Sequence, residues 1–131
     1  YDLHDAIIKK YEQGMAIYGT CAGAILLAKE IIQSEQPRLG LLDISVARND
    51  YGRQIDSFES ELNIDKIGKF NGIFIRAPVI EKVNNGVKIL SKLNNKPVLI
   101  QKDNILASTF HPELTNDKRV HEHFVEMVRK Q

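Results

Sequence analysis

Cys21 stands in GTCAG (19–23), between two glycines, after the apolar run MAIY (15–18) and ahead of AILLAKEII (24–32). It is the only cysteine in the chain. Strand, G-x-C-x-G and helix in that order make a nucleophile elbow, which lifts the reactive side chain on a sharp, strained turn. Both glycines are expected because larger side chains would collide with the adjoining strand and helix. A helix N-terminus at the sulfur favours thiolate over thiol. The backbone N–H of Ala22 then points to where an oxyanion would form. A free cysteine is also a common small core residue, so the reading depends on a partner base.

The chain has four histidines. His4 lies on an expected first helix and reads as solvent-facing. His121 and His123 lie on the last expected helix, about 200° apart around its axis, so they cannot share a metal ion. His111 differs, because it follows ILASTF (105–110) and precedes Pro112, which holds it extended. Glu113, two residues on, projects to the same side of an extended chain. Its carboxylate can bond one ring nitrogen, fix the tautomer and support the imidazolium, leaving the other nitrogen for Cys21. That is the nucleophile, base and orienter of a triad. His-Pro-Glu alone is an ordinary loop start; its combination with the elbow carries the signal. No metal or cofactor is expected.

These residues need elements to hold them. DLHDAIIKKYEQG (2–14) has helical spacing and ends at Gly14. MAIY reads as a buried strand, and 22–33 as a helix. Pro37 and Gly40 mark a loop. Strands are expected at 41–47, at 55–62 with mixed alternation, and at 73–76, the last stopped near Pro78. VKILSKL (87–93), PVLIQK (97–102) and ILASTF read as a three-stranded meander joined by hairpins. The segment 117–130 closes the chain as a helix with Val120, Phe124, Met127 and Val128 on one face. The pattern is α/β with an antiparallel section and helices packed on a sheet.

The bulk numbers agree with one compact domain. The chain has 131 residues, 43% hydrophobic and 27% charged, which suits a real core rather than disorder. A net charge of +1 gives no field to recruit nucleic acid or an anionic membrane. No apolar run approaches the ~20 residues that span a bilayer. A single cysteine forms no internal disulfide, so a cytoplasmic setting is expected.

GTCAG followed by TFHPEL resembles the class I, triad-type glutamine amidotransferases. Three further segments narrow the resemblance: ARNDYGRQIDSFESEL (47–62), GIFIRAPVI (72–80) and LASTFHPELT (106–115). Together they are similar to the glutaminase-subunit family of pyridoxal 5′-phosphate synthase, the PdxT family, over nearly the whole chain. The resemblance implies a three-layer, Rossmann- or flavodoxin-like fold with a mostly parallel central sheet and an antiparallel C-terminal section. It implies hydrolysis of L-glutamine to glutamate and ammonia, the ammonia passing to a synthase subunit (PdxS) within a large hetero-oligomer. Cys21 would attack the amide, and His111, oriented by Glu113, would move the protons.

Arg48, Ile75 and Arg76 match positions with which the family holds glutamine. A guanidinium grips an α-carboxylate with two bonds; the alternative for each arginine is a solvated surface charge or a structural ion pair. Asn49, Tyr51, Arg53 and Gln54 would line the site or face the synthase subunit. Two departures are visible. Ala24 stands where relatives carry a larger apolar residue. Family members also begin with a strand–helix unit and a glycine-rich loop that supplies a second oxyanion donor, and neither is seen ahead of the elbow. The chain, 1–131, is therefore expected to be a single glutaminase domain lacking that unit. The competing readings are a non-catalytic or truncated subunit, and an amidotransferase domain of another pathway such as histidine biosynthesis.

Overall fold

A computed structural model describes residues 2–48, 57–84 and 86–130. Helix α1 (Asp2–Glu12) carries Asp2 and Asp5 in its first turn and Lys9 and Lys10 in its last, matching the helix dipole at both ends. Gly14, at φ 108, ends it as expected. His4 is half-buried on this helix rather than solvent-facing. Strand β1 spans Ile17–Thr20, two residues later than MAIY suggests.

The expected helix over 22–33 is cut short. Helix α2 covers only Ala22–Leu27, and the chain turns at once into strand β2, Ala28–Ile31. Tertiary pairing overrides helix propensity here. Ala28 and Ile31 are buried in register with Leu42 and Val46 of β3 (Leu42–Ala47). Ser45 Oγ also donates to Glu30 Oε1 at 2.5 Å across the pair.

Strands β4 (Ser57–Ile64) and β5 (Gly68–Ile75) form a long antiparallel hairpin. The sequence pattern sets these strands apart and shortens β5. Ile55 and Asp56, where that pattern starts β4, lie outside the described residues. Strand β6 (Val79–Val83) runs where Pro78 reads as a stop; it pairs antiparallel with β3 instead. The meander holds: β7 (Lys88–Leu93), β8 (Lys96–Lys102) and β9 (Ile105–Ser108) are sequential antiparallel neighbours. Asn94 and Asn95 between β7 and β8 both take positive φ, 52° and 66°, which suits a tight hairpin turn. Helix α3 (Arg119–Arg129) closes the chain, burying Val120 and Met127 while Val128 is exposed, contrary to expectation.

The fold is α/β, in small mixed sheets: β1-β9-β8-β7, β2-β3-β6 and β4-β5. The described strands do not confirm a mostly parallel central sheet, since only β1–β9 and β2–β3 run parallel. The four-stranded sheet lies between two apolar clusters. On β9, Ile105 and Ala107 enter the cluster shared with α2, β2 and β3, while Leu106 enters the one shared with β4, β5 and α3. This period-2 division makes β9 the spine on which both halves pack.

The elbow depends on one of its glycines. A Cβ on Gly19 would lie 2.7 Å from Leu27 Cδ1 and 2.9 Å from the Gly23 carbonyl carbon. A Cβ on Gly23 would meet nothing within 4 Å, so the expected collision there does not exist. Gly19→Ala should therefore destabilise by roughly 1–3 kcal/mol through overpacking. Gly23→Ala, on a helix, should be neutral or stabilising by up to about 1 kcal/mol. Thermal melts of the two variants check this; equal losses would refute the assignment.

Candidate active site

Cys21 sits in the turn between β1 and α2 at φ 53 and ψ −106, a conformation rare for a residue with a side chain. Its N–H donates to Ser108 O at 2.8 Å, and its carbonyl accepts from Ala24 N at 3.0 Å and Ile25 N at 3.2 Å. The turn is thus pinned to the end of β9 on one side and to the first turn of α2 on the other. Thr20 and Ser108 are register partners, so Cys21 and the segment leading to His111 leave neighbouring parallel strands at the same end.

Strand β5 brings the two together. The Cys21 thiol points at Ile75 O, 3.7 Å away, and His111 N–H donates to Ile73 O at 2.8 Å. Ile73 and Ile75 are two residues apart and so share a side of the strand. Phe110, fully buried, fixes the approach by packing on Phe70 and Phe74 with ring centroids 5.9 and 5.6 Å apart. His111 Nδ1 and Glu113 Oε2 are 2.6 Å apart, the short contact expected of a charge-assisted bond. Glu113 lies on a 3₁₀ turn, Pro112–Leu114, and this bond leaves the opposite ring nitrogen, Nε2, uncommitted to the carboxylate.

The sulfur does not behave as the helix-end argument expects. Burial pushes the Cys21 thiol above its ordinary pKa, the Ala22 N–H pulls it back, and the Glu113 carboxylate pushes it up further. Burial is the largest of these three influences and outweighs the Ala22 N–H. The Ala22 N–H nevertheless lies beside the sulfur, as the elbow requires.

Arg76 follows Ile75 directly, is exposed, and takes φ 45. It is the chain neighbour of the residue whose carbonyl faces the Cys21 thiol. Arg48, at the end of β3, is exposed and donates through Nη1 to Gln36 Oε1. Among the described residues, no hydrogen bond joins it to Cys21 or His111. Asn49, Tyr51, Arg53 and Gln54 lie outside the described residues. His121 and His123 face different surroundings, as their helical spacing requires: His121 meets the Tyr18 ring edge-on at 5.7 Å, and His123 bonds Gln101 Oε1 at 2.8 Å. Two groups at the site have no counterpart in the sequence pattern, the carbonyls of Ile73 and Ser108. A backbone acceptor leaves no mark in side-chain identity.

Among the described residues, no group of three or more His, Cys, Asp or Glu side chains could hold a metal ion. No helix among them is long and apolar enough to cross a membrane.

A solved glutamine amidotransferase superposes with a TM-score of 0.93 at 50% identity, covering 98% of this chain and 69% of that one. A Thermoplasma acidophilum protein described as a GMP synthase component shares the fold at a TM-score of 0.68 and 13% identity, covering 98% and 65%. The fold is that of the glutamine amidotransferases.

The sequence model of the SNO glutamine amidotransferase family matches residues 1–130, and the chain belongs to that family. It is 51% identical over 131 residues to the pyridoxal 5′-phosphate synthase subunit PdxT of Desulforamulus reducens, covering 98% of this chain and 70% of the relative. The subunit PdxT of Kosmotoga olearia is 54% identical over 131 residues, with 98% and 68% covered.

The raised thiol pKa has a measurable sign. Only the thiolate alkylates, so iodoacetamide labelling of Cys21 should climb with pH to a midpoint above the ~8.5 of a free thiol. Glu113→Gln removes a negative charge and should move that midpoint down. A labelling rate already at its plateau below about pH 8 in the parent would contradict the assignment.

Proposed function

We propose that this chain is a glutaminase domain that hydrolyses L-glutamine to glutamate and ammonia and delivers the ammonia to a pyridoxal 5′-phosphate synthase subunit. The carrying observation is the pair of β5 carbonyls, Ile73 and Ile75, on which His111 and Cys21 hang, with Glu113 2.6 Å from His111 Nδ1. The PdxT relatives supply the pathway.

In the proposed reaction His111 Nε2 takes the proton from the Cys21 thiol. The sulfur forms a bond to the side-chain amide carbon, and the negative charge moves to the amide oxygen. The Ala22 N–H donates to that oxyanion. The imidazolium returns the proton to the amide nitrogen, the C–N bond breaks, and ammonia departs from a glutamyl thioester. His111 then takes a proton from water as the oxygen attacks the thioester carbon. The C–S bond breaks, the sulfur regains its proton from His111, and glutamate leaves. Glu113 accepts the Nδ1–H bond throughout and carries no proton away.

Arg76 and Arg48 are proposed to bind the glutamine α-carboxylate, for which a guanidinium fork fits, with Ile75 beside them. Asn49, Tyr51, Arg53 and Gln54 are proposed to line the site or meet the PdxS subunit in a hetero-oligomer.

The test is ammonia release from glutamine, measured by a coupled glutamate assay with and without a PdxS subunit. Cys21→Ala should abolish it, and His111→Asn should lower kcat by about 10²–10⁴. Parent-level turnover in Cys21→Ala would sink the reading.

A further inference from the structure

The segment beyond the His111–Glu113 pair is tied, bond by bond, back to the strand on which that pair hangs. Thr115 closes the 3₁₀ turn, its N–H and Oγ1 donating to Pro112 O at 3.2 and 3.0 Å. Thr115 Oγ1 accepts from Asp117 N at 3.2 Å. The Asp117 carboxylate accepts from Arg119 three ways: from its backbone N at 3.1 Å, from Nε at 3.0 Å and from Nη2 at 2.7 Å. The guanidinium then reaches across the chain. Arg119 Nη1 donates to Ile67 O at 2.9 Å, and Nη2 donates to Lys69 O.

Ile67 and Lys69 flank the start of β5, whose other end carries the acceptors of His111 and Cys21. The result is a ring. It runs from His111 through Pro112, Thr115 and Asp117 to Arg119, crosses to the β4–β5 turn, and returns along β5 to Ile73 and His111, with Glu113 carried on the turn that Thr115 closes. We propose that Arg119 is a positioning residue for the triad, closing this ring so that the His111–Glu113 pair keeps a fixed height on β5.

Two physical points favour positioning over stability. The Arg119–Asp117 pair is exposed, with side chains 44% and 32% accessible. Exposed pairs contribute little to stability. Yet the guanidinium makes a forked set of bonds to one carboxylate and two carbonyls, which fixes direction as well as distance. A lysine ammonium keeps the charge but not the planar fork. Asp117 is held ionised by the same contacts, its carboxyl below its ordinary range because Arg119 bonds to it.

The inference rests on the glutaminase reading for its kinetic arm, and a second arm is independent of it. Arg119→Gln and Arg119→Lys, assayed in the full chain with a PdxS subunit, should each lose roughly 10- to 100-fold in kcat, as a displacement near 1 Å does. KM for glutamine should hold, and the melting temperature should stay close to the parent's. In a Glu113→Gln background the loss should shrink, because Arg119 acts by holding the turn that carries this carboxylate. Unchanged kcat in Arg119→Gln, or an undiminished loss beside Glu113→Gln, overturns the proposal. The independent arm is the downfield proton resonance of the His111–Glu113 bond. It should broaden or shift in Arg119→Gln even if no glutamine is turned over. A resonance identical to the parent's overturns the positioning role, whereas a shifted one with an inactive parent overturns only the glutaminase reading.

Discussion

The backbone at Cys21 is the constraint around which the rest is arranged. A non-glycine residue at φ 53 and ψ −106 is strained by roughly 1–3 kcal/mol and survives only where its surroundings over-determine it. Here they do. The Cys21 N–H is held by Ser108 O, and its carbonyl by two N–H groups in the first turn of α2. Gly19 permits the strand to pass within contact of Leu27 and Gly23, without which the turn could not be so tight. The fully buried Ala24 continues this close fit into the core. The elbow is therefore stabilised from the strand below it, the neighbouring strand and the helix above, all at once.

That turn fixes the thiol, but a thiol needs a base at a set distance. The hairpin β4–β5 supplies the ruler. Its strand β5 lies over the ends of β1 and β9, glued there by Phe70 and Phe74 against Phe110. Buried aromatic contacts of this kind add about 0.5–1.5 kcal/mol beyond area burial, and they fix the residue immediately before His111. Two carbonyls of one strand then receive the two reactive residues. The hairpin thus closes the β4–β5 pair at its turn and, at its open end, presents Ile75 and Arg76 beside Cys21.

The elbow, the His111–Glu113 pair and the C-terminal meander are legible in the sequence because each is local. Glycine spacing, a proline after a strand and polar turns between apolar runs all act over a few residues. The long-range arrangements are not legible. AKEI keeps helical spacing yet becomes β2, because Ala28 and Ile31 gain more by pairing with β3 than by extending α2. VIEKV follows a proline yet pairs as β6. The hairpin register, the Ile73 and Ser108 carbonyls and the reach of Arg119 depend on backbone groups, which every residue carries alike. The two glycines of the elbow look equivalent in the sequence for the same reason, since only the fold decides which Cβ has room.

The charge balance bears on how a half-buried thiol could act as the nucleophile of the proposed mechanism. Glu113 acts at the sulfur only through space, and there it disfavours the thiolate. At His111 it makes a direct contact, 2.6 Å from Nδ1. Coulomb energy falls with distance, so the carboxylate acts more strongly on the nearer group. In the proposed mechanism the carboxylate would therefore sit nearer the ring that receives the proton than the sulfur that gives it, although the thiol by itself is made a weaker acid. Ionisation to bulk solvent and ionisation to His111 are separated in energy by one side chain.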